Sequence, residues 1–588
     1  MDVFAMRSRL VHDYDAFVRS FVDISDQRVK TVVDGALNSG VLWPSPLVQL
    51  NPAFEPGGAI EDLVREGVLH KSCAEIFRAR KTADSTGVPM RLHKHQDEAV
   101  RVARTLANYV LTTGTGSGKS LSYIIPIVDH VLRNGTGKGI QAIVVYPMNA
   151  LANSQLGELA KFLETAPFSK DKPPVRVRRY TGQESDEQRR EIRDNPPDVI
   201  LTNYVMLELI LTRVAEKSIV KAAKGLRFLA LDELHTYRGR QGADVAMLCR
   251  RLRDQLESPN LQYVGTSATI AGPGTLVEQR QEIARVATDL FGSEVKPESV
   301  IGETLRRATP HGTVGDTKFK AALTARVKAN SAPPSSYNEF LEDPLSSWIE
   351  STFGVVQAPG EDRLVRAVPQ TIDVAAEKLA GDTGAKVGDA AKLITAQLMS
   401  GYEKARNENG QPAFAFRLHQ FLSRGDTVYA TLEPESSRFI TIEAQKTNPH
   451  NERSLLFPLV FCRECGQEYY SVVRSEGNPG GLPSFEPRDL GDLAKTAEAK
   501  PGYLYFSSDP RRAWPHADHT SESLLERLPD DWKEIRNDVE VLRPSRLKQL
   551  PQLEHVGVDG HSDPHGLTCH FIGSPFHFCL SCGVSYAS

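Results

Sequence analysis

Between residues 90 and 300, short β-branched runs alternate with segments of helical periodicity. The runs are NYVLTT, AIVVY, DVILT, RFLAL and QYVGTSA. Strands that alternate with helices favour parallel pairing, because a crossover helix is the usual connection between parallel neighbours. The predicted fold class is therefore α/β, with a doubly wound sheet of parallel strands.

The segments that flank this region have other patterns. Residues 1–85 look mainly helical, with interruptions at WPSP and NPAFEPGG, and later segments combine helical windows with β-like runs. We expect four parts, which are a helical N-terminal accessory region (1–85), the α/β domain (86–300), a mainly helical insert (301–450) and a mixed α+β C-terminal region (451–588).

Composition limits the possible partners and locations. The net charge is −4, so any nucleic-acid binding must depend on local basic patches. The first residues, MDVFAMRSRLVHDYDAF, carry charges every few positions and contain no apolar h-region. This pattern is neither a secretory signal nor a membrane span, so a cytoplasmic protein without a membrane partner is expected.

A glycine-rich segment, TGTGSGKS, follows the first strand and precedes a helix. Its glycines let backbone N–H groups converge on phosphate oxygens, and the helix N-terminus adds a positive dipole end. Lys119 is predicted to reach the β- and γ-phosphates of ATP, and the Ser120 hydroxyl to bind Mg²⁺. The alternative, a Gly/Ser surface turn, is disfavoured by the flanking strand and helix. The predicted ATP-binding residues of this loop are Thr113, Gly114, Thr115, Gly116, Ser117, Gly118, Lys119 and Ser120.

Two acidic residues follow a later apolar strand in the segment RFLALDELHTY. Asp232 is predicted to hold Mg²⁺ through water, while Glu233 positions and deprotonates the attacking water. Acidic residues also favour helix N-termini, so a solvated helix start is the alternative. The phosphate loop upstream favours the phosphoryl-transfer site.

Further segments occur in the order found in superfamily 2 DEAD/DEAH-box helicases, and residues 86–300 resemble their first RecA-like lobe. The segments are LHKHQDEAV (Q motif), YPMNALANSQ (Ia), TGQES (Ib), LTNYVML (Ic), DELH (II) and TSAT (III). Thr113 stands where the strict loop pattern has glycine, a position that helicase loops commonly relax. The resemblance implies that Gln96 reads adenine and that Ser267 and Thr269 couple hydrolysis to movement. The implied catalytic residues are Lys119, Asp232, Glu233 and His235.

The same resemblance implies that motifs Ia, Ib and Ic face single-stranded nucleic acid. Short neutral side chains there suit backbone phosphates, and the strip VRVRR at 175–179 supplies charge. A solvated edge strand explains the arginine strip equally well. The predicted nucleic-acid contacts are Asn149, Asn153, Thr181, Thr202 and Asn203.

The longer segment DELHTYRGRQGADVAMLCRRLR resembles MrfA-like repair helicases and the large helicases of bacterial anti-phage loci of the Druantia and DISARM type. The segment RLHQFLSRGDTVYATL, which begins at Arg417, also resembles what these helicases carry between their two lobes. The resemblance implies an ATP-dependent DNA helicase or translocase with 3′-to-5′ polarity that acts on single-stranded or forked DNA in defence or repair.

The arginine-rich motif of a second RecA-like lobe, Q-x-x-G-R-x-x-R, does not occur in 301–588. A missing arginine finger costs about 10³ to 10⁵ in phosphoryl-transfer rate. We therefore expect the front part of a larger motor, from a truncated or split protein. It would be weakly active until a second lobe joins it, from downstream sequence or from another chain. Defence-system subunits are possible partners. The alternatives are a nucleotide-gated nucleic-acid-binding or assembly subunit without turnover of its own, and a motor that translocates on duplex without unwinding it.

Two segments, FCRECGQEYY and HFCLSCGVSY, share the form C-x-x-C-G-x-x-Y. A two-residue spacer brings two thiolates onto one metal, and the glycine lets the turn close. The long interval leaves two possibilities: a domain inserted between halves of one zinc site, or separate pairing of each half, with Cys569, His570 or His577 as substitutes. A redox role lacks the thioredoxin-like context. The predicted zinc ligands are Cys462, Cys465, Cys579 and Cys582.

Overall fold

The computed structural model describes residues 2–20, 23–114, 116–268, 274–310, 312, 314–408, 410–423, 427–476, 482–489, 499–515 and 522–586. The chain divides into two compact units. The larger unit comprises residues 49–369 and 373–417, and the smaller unit comprises 1–48, 370–372 and 418–588.

A seven-stranded sheet forms the centre of the larger unit, within the described residues. Its spatial order is β7-β1-β6-β5-β2-β4-β3, and every pairing is parallel. The predicted doubly wound parallel sheet is therefore confirmed. The strands are β1 (Tyr109–Thr112), β2 (Ala142–Tyr146), β3 (Val177–Arg179), β4 (Val199–Asn203), β5 (Phe228–Leu231), β6 (Gln262–Ser267) and β7 (Val300–Gly302).

Helices connect these strands, as parallel pairing requires. The connecting helices and the helix before β1 are α1 (Lys94–Arg104), α2 (Leu121–Asn134), α3 (Asn149–Leu163), α4 (Asp186–Asp194), α5 (Tyr204–Thr212), α6 (Lys217–Ala222), α7 (Gly239–Gln255) and α8 (Leu276–Phe291). Further helices are Ile60–Arg65, Cys73–Ile76, Thr317–Ala329, Tyr337–Glu342, Pro344–Phe353, Ile372–Thr383 and Val387–Glu403.

Short antiparallel ribbons complete the larger unit. The pairs are Ala53–Phe54 with Leu305–Arg306, Pro56–Ala59 with Arg91–His93, Arg78–Ala79 with Val88–Pro89, and Val355–Gln357 with Leu364–Arg366. Two more strands, Leu47–Leu50 and Phe416–His419, lie where the chain passes from one unit to the other.

The sheet is buried on both faces, which explains why its central strands are continuously apolar. In β2, Ala142, Val144 and Tyr146 pack into the core on one face. Ile143 and Val145, which alternate with them, pack into the core on the other face. A run such as AIVVY therefore needs no polar alternation, because helices cover both sides.

The smaller unit is built on a nine-stranded sheet, counting the described strands. The main path runs β9-β8-β11-β12-β14-β16-β15, and β10 and β13 pair with β11 and β12. Its pairings are antiparallel. The strands are β8 (Tyr429–Thr431), β9 (Ile440–Thr441), β10 (Thr447–Asn448), β11 (Asn451–Phe461), β12 (Glu468–Ser475), β13 (Ser484–Pro487), β14 (Ala499–Tyr505), β15 (Gln552–Val556) and β16 (Leu567–Gly573).

Other elements of the smaller unit are two N-terminal helices, one short helix and a ribbon. They are the helices Val3–Ser20, Gln27–Asn38 and Glu522–Leu525, and the paired strands Lys533–Arg536 and Val539–Leu542. None of the helices in the described part of the chain is long and apolar enough to cross a membrane.

The first residues belong to the smaller unit, so the division does not coincide with the boundaries expected at 85, 300 and 450. Asp26 accepts a hydrogen bond from the Val29 amide at 2.8 Å and begins the helix Gln27–Asn38. The same carboxylate lies 2.9 Å from Arg438, which is 1% exposed and 2.6 Å from Glu468. This buried ion network joins residues more than 400 positions apart, and no local pattern predicts it.

Candidate functional site

The phosphate loop lies at the carboxyl edge of the parallel sheet, between the end of β1 and the start of α2. The Thr113 amide donates to the Ser267 carbonyl of the neighbouring strand β6 at 3.2 Å, which fixes the start of the loop. Gly116 and Gly118 have φ values of +84° and +72°, a region that favours glycine. The loop therefore needs glycine at both positions.

Thr113, the departure from the strict loop pattern, makes a specific contact. Its hydroxyl lies 2.7 Å from the Ser117 hydroxyl, and each residue is 1% exposed. The bond spans the turn of the loop and satisfies both buried hydroxyls. Glycine could not make it. Thr115 lies outside the described residues.

Residues of α1 hold the loop from the side. The Gln96 amide nitrogen donates to the Gly118 carbonyl at 2.9 Å, and its amide oxygen accepts from the His93 amide at 2.9 Å. His95, which the sequence motifs do not mark as a loop contact, lies 2.9 Å from the Ser117 carbonyl through Nε2. Burial lowers the pKa of His95 to about 4, so the ring is neutral and donates from Nε2. The adenine-reading role of Gln96 stays a prediction.

The acidic motif meets the lysine of the loop. Lys119 Nζ lies 3.1 Å from Glu233 Oε1. Asp232 follows β5 directly, and its amide donates to the Val145 carbonyl of β2 at 2.9 Å. Burial raises the pKa of Asp232, although a hydrogen bond from Thr266 opposes the shift. The ends of β1 and β5 thus bring a lysine and two carboxylates to one edge of the sheet.

Motifs II and III are joined by hydrogen bonds. Glu233 has a φ of +53°, and its amide donates to the Thr266 hydroxyl at 3.2 Å. His235 Nδ1 lies 3.0 Å from the Ser267 hydroxyl and 3.3 Å from Glu233 Oε2. That oxygen is buried and makes no hydrogen bond among the described residues. The predicted coupling residue Ser267 therefore contacts motif II, whereas Thr269 lies outside the described part of the chain.

An ion pair from later in the chain reaches the start of the loop. The Gly114 amide donates to Glu303 Oε2 at 3.0 Å. Arg366 donates to both oxygens of Glu303, from Nε at 2.7 Å and from Nη2 at 2.8 Å. A Cβ at Gly114 would lie 2.5 Å from the Arg366 guanidinium, so a side chain there would displace the guanidinium from its place beside Glu303. Glu303 is 189 positions from Gly114, and no motif marks it.

The predicted nucleic-acid residues lie at the ends of three neighbouring strands. Asn149 and Asn153 come after β2, Thr181 comes after β3, and Thr202 and Asn203 end β4. The Asn203 amide donates to Asn149 Oδ1 at 2.6 Å and to the Thr181 carbonyl at 3.2 Å. Asn203 also caps α5, since its oxygen accepts from the Met206 amide at 2.7 Å. Asn153 is exposed on α3. The structure thus brings Asn149, Thr181 and Asn203 together at the carboxyl edge.

The two threonines of this set are buried and already bonded. Thr202 is inaccessible, and its hydroxyl donates to the Tyr180 carbonyl at 2.6 Å. The Thr181 hydroxyl donates to Glu184 at 3.2 Å. In this arrangement neither hydroxyl has a proton left for a phosphate oxygen, which the strand pattern could not show.

The strip VRVRR contains the edge strand β3. Arg176 donates to Asn195 at 2.7 Å and Arg179 to Glu184 at 2.6 Å, whereas Arg178 is exposed. Internal partners thus occupy two of the three arginines, as the edge-strand alternative anticipates.

The four predicted zinc ligands converge in the smaller unit. Cys462 Sγ lies 3.8 Å from Cys582 Sγ, and Cys465 Sγ lies 3.7 Å from Cys579 Sγ. All four sulfurs lie within 4.8 Å of one another. Zn–S bonds of about 2.3 Å in a tetrahedron separate the sulfurs by about 3.8 Å, so the set fits zinc. Disulfides need about 2.05 Å.

The two cysteine turns have the same geometry. Gly466 and Gly583 have φ values of +72° and +74°. Their amides donate to the Cys462 and Cys579 carbonyls at 2.9 and 2.8 Å. Of the two possibilities left by the sequence, the structure supports one shared site. Among the described residues, the cluster contains neither Cys569 nor the nearby histidines.

Each tyrosine of the repeated pattern contacts the other turn. Tyr469 Oη lies 3.1 Å from Cys579 Sγ and accepts from the Leu580 amide at 2.8 Å. Tyr586 Oη lies 3.1 Å from Cys462 Sγ. Burial raises the pKa of the Cys579 thiol, so a bound cation is what would make it a thiolate. Because each tyrosine contacts a cysteine of the opposite turn, the two contacts stabilise the arrangement of both turns.

The model of the family "DEAD/DEAH box helicase" matches residues 93–275. This range contains α1, the phosphate loop, the acidic motif and β6. The chain carries a DEAD/DEAH box helicase domain. The resemblance inferred from the motifs is confirmed for these residues.

Curated relatives include helicases from several organisms. The Druantia protein DruE of Escherichia coli (strain UMEA 4076-1) is 22% identical over 80% of this chain and 33% of its own length. The uncharacterized ATP-dependent helicase YprA of Bacillus subtilis (strain 168) is 30% identical over 32% of this chain and 24% of its own. The chain thus spans a third or less of the length of these two relatives.

Solved structures with local similarity include the DUF1998 helicase MrfA bound to DNA. It is 21% identical, with a TM-score of 0.33, over 48% of this chain and 36% of that one. The fold class rests on the parallel sheet itself and on the matched helicase domain.

Proposed function

We propose that this chain is part of an ATP-dependent DNA helicase or translocase. One observation carries the proposal: within the helicase domain, Lys119, Asp232 and Glu233 meet at the edge of a parallel sheet, beside a glycine loop. A lysine with two carboxylates at a phosphate loop suits phosphoryl transfer to water. ATP hydrolysis is the reaction that we assign to this site.

The ion pair between Lys119 and Glu233 suggests how ATP would prepare the site. Phosphates that bind Lys119 would compete with Glu233, whose oxygens could then accept a proton from the attacking water. Ser120 and Asp232 offer hard oxygen ligands, which suit Mg²⁺. Bound Mg²⁺ would neutralise charge on the phosphates, and it would also keep Asp232 ionised in its buried position.

The coupling to movement would pass through His235 and Ser267. Their contact at 3.0 Å joins the hydrolytic motif to the end of β6. If Glu233 moves on ATP binding, the movement would reach the end of β6 through two contacts, from Glu233 to His235 and from His235 to Ser267.

We propose that Asn149 and Asn153 contact DNA, while Asn203, whose side chain is already hydrogen-bonded, positions Asn149. The side-chain amides of Asn149 and Asn153 lie at or near the carboxyl edge and suit backbone phosphates without reading sequence. The solved relative MrfA is bound to DNA, and DruE is a Druantia protein. We therefore place the activity in anti-phage defence or repair, with 3′-to-5′ movement and with turnover assisted by a second lobe. A structural zinc at the four cysteines completes the proposal.

The test is ATP binding by the purified chain, and DNA-stimulated ATP hydrolysis by the chain after a second lobe has been supplied. Lys119→Ala should weaken Mg–ATP binding at least about tenfold, because one charged hydrogen bond to phosphate is lost. Glu233→Gln should still bind ATP but hydrolyse it about 10² to 10⁴ times more slowly, because it removes the general base. Lys224→Ala, an exposed lysine paired with Glu257, is the matched control and should resemble the parent.

Parental behaviour of both Lys119→Ala and Glu233→Gln would refute the ATP site. Parental binding without DNA-stimulated turnover, even after a second lobe is supplied, would support the alternative of a nucleotide-gated assembly subunit.

A further inference from the structure

A second arginine of the larger unit lies against the phosphate loop. A Cβ built at Gly116 would be 2.8 Å from Nη2 of Arg417 and 3.9 Å from its Cζ. Arg417 lies in the strand Phe416–His419, about 300 residues after the loop. Both residues belong to the larger unit. The guanidinium thus occupies the space that a side chain at residue 116 would take.

The conformation of Gly116 keeps this space open. Its φ of +84° already disfavours any residue with a Cβ. The guanidinium is then close to the backbone that a phosphate loop offers to its anion. Glycine at 116 therefore serves both the turn and the approach of Arg417.

Positive charge accumulates around this turn. The N-terminus of α2 contributes the positive end of its dipole, and Lys119 precedes it. Arg417 places a further guanidinium at this turn. A turn at a helix N-terminus that also holds cationic side chains is a favourable place for a phosphate group.

We propose that Arg417 is a phosphate-binding residue of the ATP site, supplied by the same chain. Its guanidinium would donate charge-assisted hydrogen bonds to the polyphosphate as it lies over Gly116. The role differs from that of Arg366, which acts on the loop through Glu303 and Gly114. The inference rests on the proposed ATP-binding function and adds a residue that no loop or acidic motif contains.

If Arg417 has this role, the affinity of the chain for a nucleotide depends on how many phosphates the nucleotide carries. An arginine that touches the polyphosphate should favour ATP over AMP. A hydrogen bond to a charged group contributes about 1.5 to 3 kcal/mol, so its loss should weaken binding about 10- to 100-fold. An arginine that merely supports the loop would affect every nucleotide equally.

The experiment is isothermal titration calorimetry of the whole chain with the magnesium complexes of AMP-PNP and ADP, and with AMP. Arg417→Ala should lose about 10- to 100-fold in affinity for AMP-PNP and little for AMP. Arg417→Lys should recover part of the loss, since it keeps the charge without the planar fork. Arg285→Ala, which removes an exposed arginine of α8, should bind all three ligands like the parent.

Equal losses for AMP-PNP and AMP would overturn the proposal, as would unchanged affinity of Arg417→Ala for AMP-PNP. Folding of each variant is checked by its thermal midpoint without nucleotide. Lys119→Ala, measured in parallel, separates the two claims. If it also binds AMP-PNP like the parent, the ATP site itself is wrong. If only Lys119→Ala loses affinity, the site stands and the role of Arg417 fails.

Discussion

In the larger unit, the residues of the phosphate site follow the carboxyl ends of parallel strands, whereas in the smaller unit the four cysteines come from two turns far apart in sequence. Lys119 and Glu233 meet because β1 and β5 end at the same edge of one sheet. Cys465 and Cys579 are 114 positions apart and meet only after several antiparallel strands have paired.

The difference teaches what makes a site visible in sequence. In a parallel sheet with helical crossovers, every strand end points to the same edge, so residues after strands converge by topology alone. In an antiparallel sheet, convergence depends on which strands are neighbours and on their register. The phosphate site at the carboxyl edge of the parallel sheet can therefore be predicted from short motifs. The cysteine site forms only when the complete antiparallel sheet, or a bound metal, brings its two turns together.

The largest effect is expected from removal of the metal. Cys579→Ser should abolish binding of one zinc per chain and unfold much of the structure around the two cysteine turns. Structural zinc can contribute about 10 kcal/mol to folding. A strong chelator should act likewise on the parent. Zinc content by mass spectrometry and far-ultraviolet circular dichroism measure both outcomes.

Cys73→Ala is the matched control, since Cys73 is buried in the larger unit and lies outside the cysteine cluster. It should retain the zinc. A parent that carries no zinc when purified with reduced cysteines would contradict the site, and so would a Cys579→Ser protein with full zinc content.

A smaller effect is expected from acid in the larger unit. His95 is inaccessible and its pKa is lowered from 6.5 to about 4 by burial. The unfolded chain therefore binds the proton first, and stability is lost as pH falls from about 6.5 towards 4. Between pH 7 and pH 5 this loss is on the order of 2 kcal/mol.

The measurement is urea unfolding of the parent and of His95→Gln at both pH values. Glutamine at position 95 stays neutral, so the free energy of unfolding of the variant should fall by about 2 kcal/mol less than that of the parent between pH 7 and pH 5. His130, whose pKa burial also lowers to about 4, is present in both proteins and cancels. Identical pH dependence of the two proteins would mean that His95 is not buried in its neutral form.

The smallest effect is expected at Thr113. Thr113→Val keeps the shape but leaves the Ser117 hydroxyl without its partner, at a cost of about 1 kcal/mol. Thermal unfolding of Thr113→Val, Ser117→Ala and the double variant forms a cycle. The double variant should cost less than the sum of the singles. Strict additivity would show that the 2.7 Å contact contributes no coupling.

Much of the phosphate site could be predicted from the sequence, because it depends on local patterns of strands, glycines and acidic residues. NYVLTT and RFLAL are correctly predicted as strands β1 and β5, since buried parallel strands are continuously apolar. Glu303 and Arg417 could not be predicted, because only the folded chain brings them to Gly114 and Gly116. Thr202 shows that a motif position does not ensure an available side chain. The pleat of β4 turns its hydroxyl towards the Tyr180 carbonyl, which accepts its proton.

The paired cysteine turns also set how the chain between them can vary. With Cys465 and Cys579 held 3.7 Å apart, everything between them is a closed loop with fixed ends. The entropy of closing such a loop grows only logarithmically, at about 0.6 kcal/mol for each doubling of its length. Long insertions between the turns are therefore thermodynamically inexpensive, so this stretch can gain or lose whole hairpins while the metal geometry stays the same.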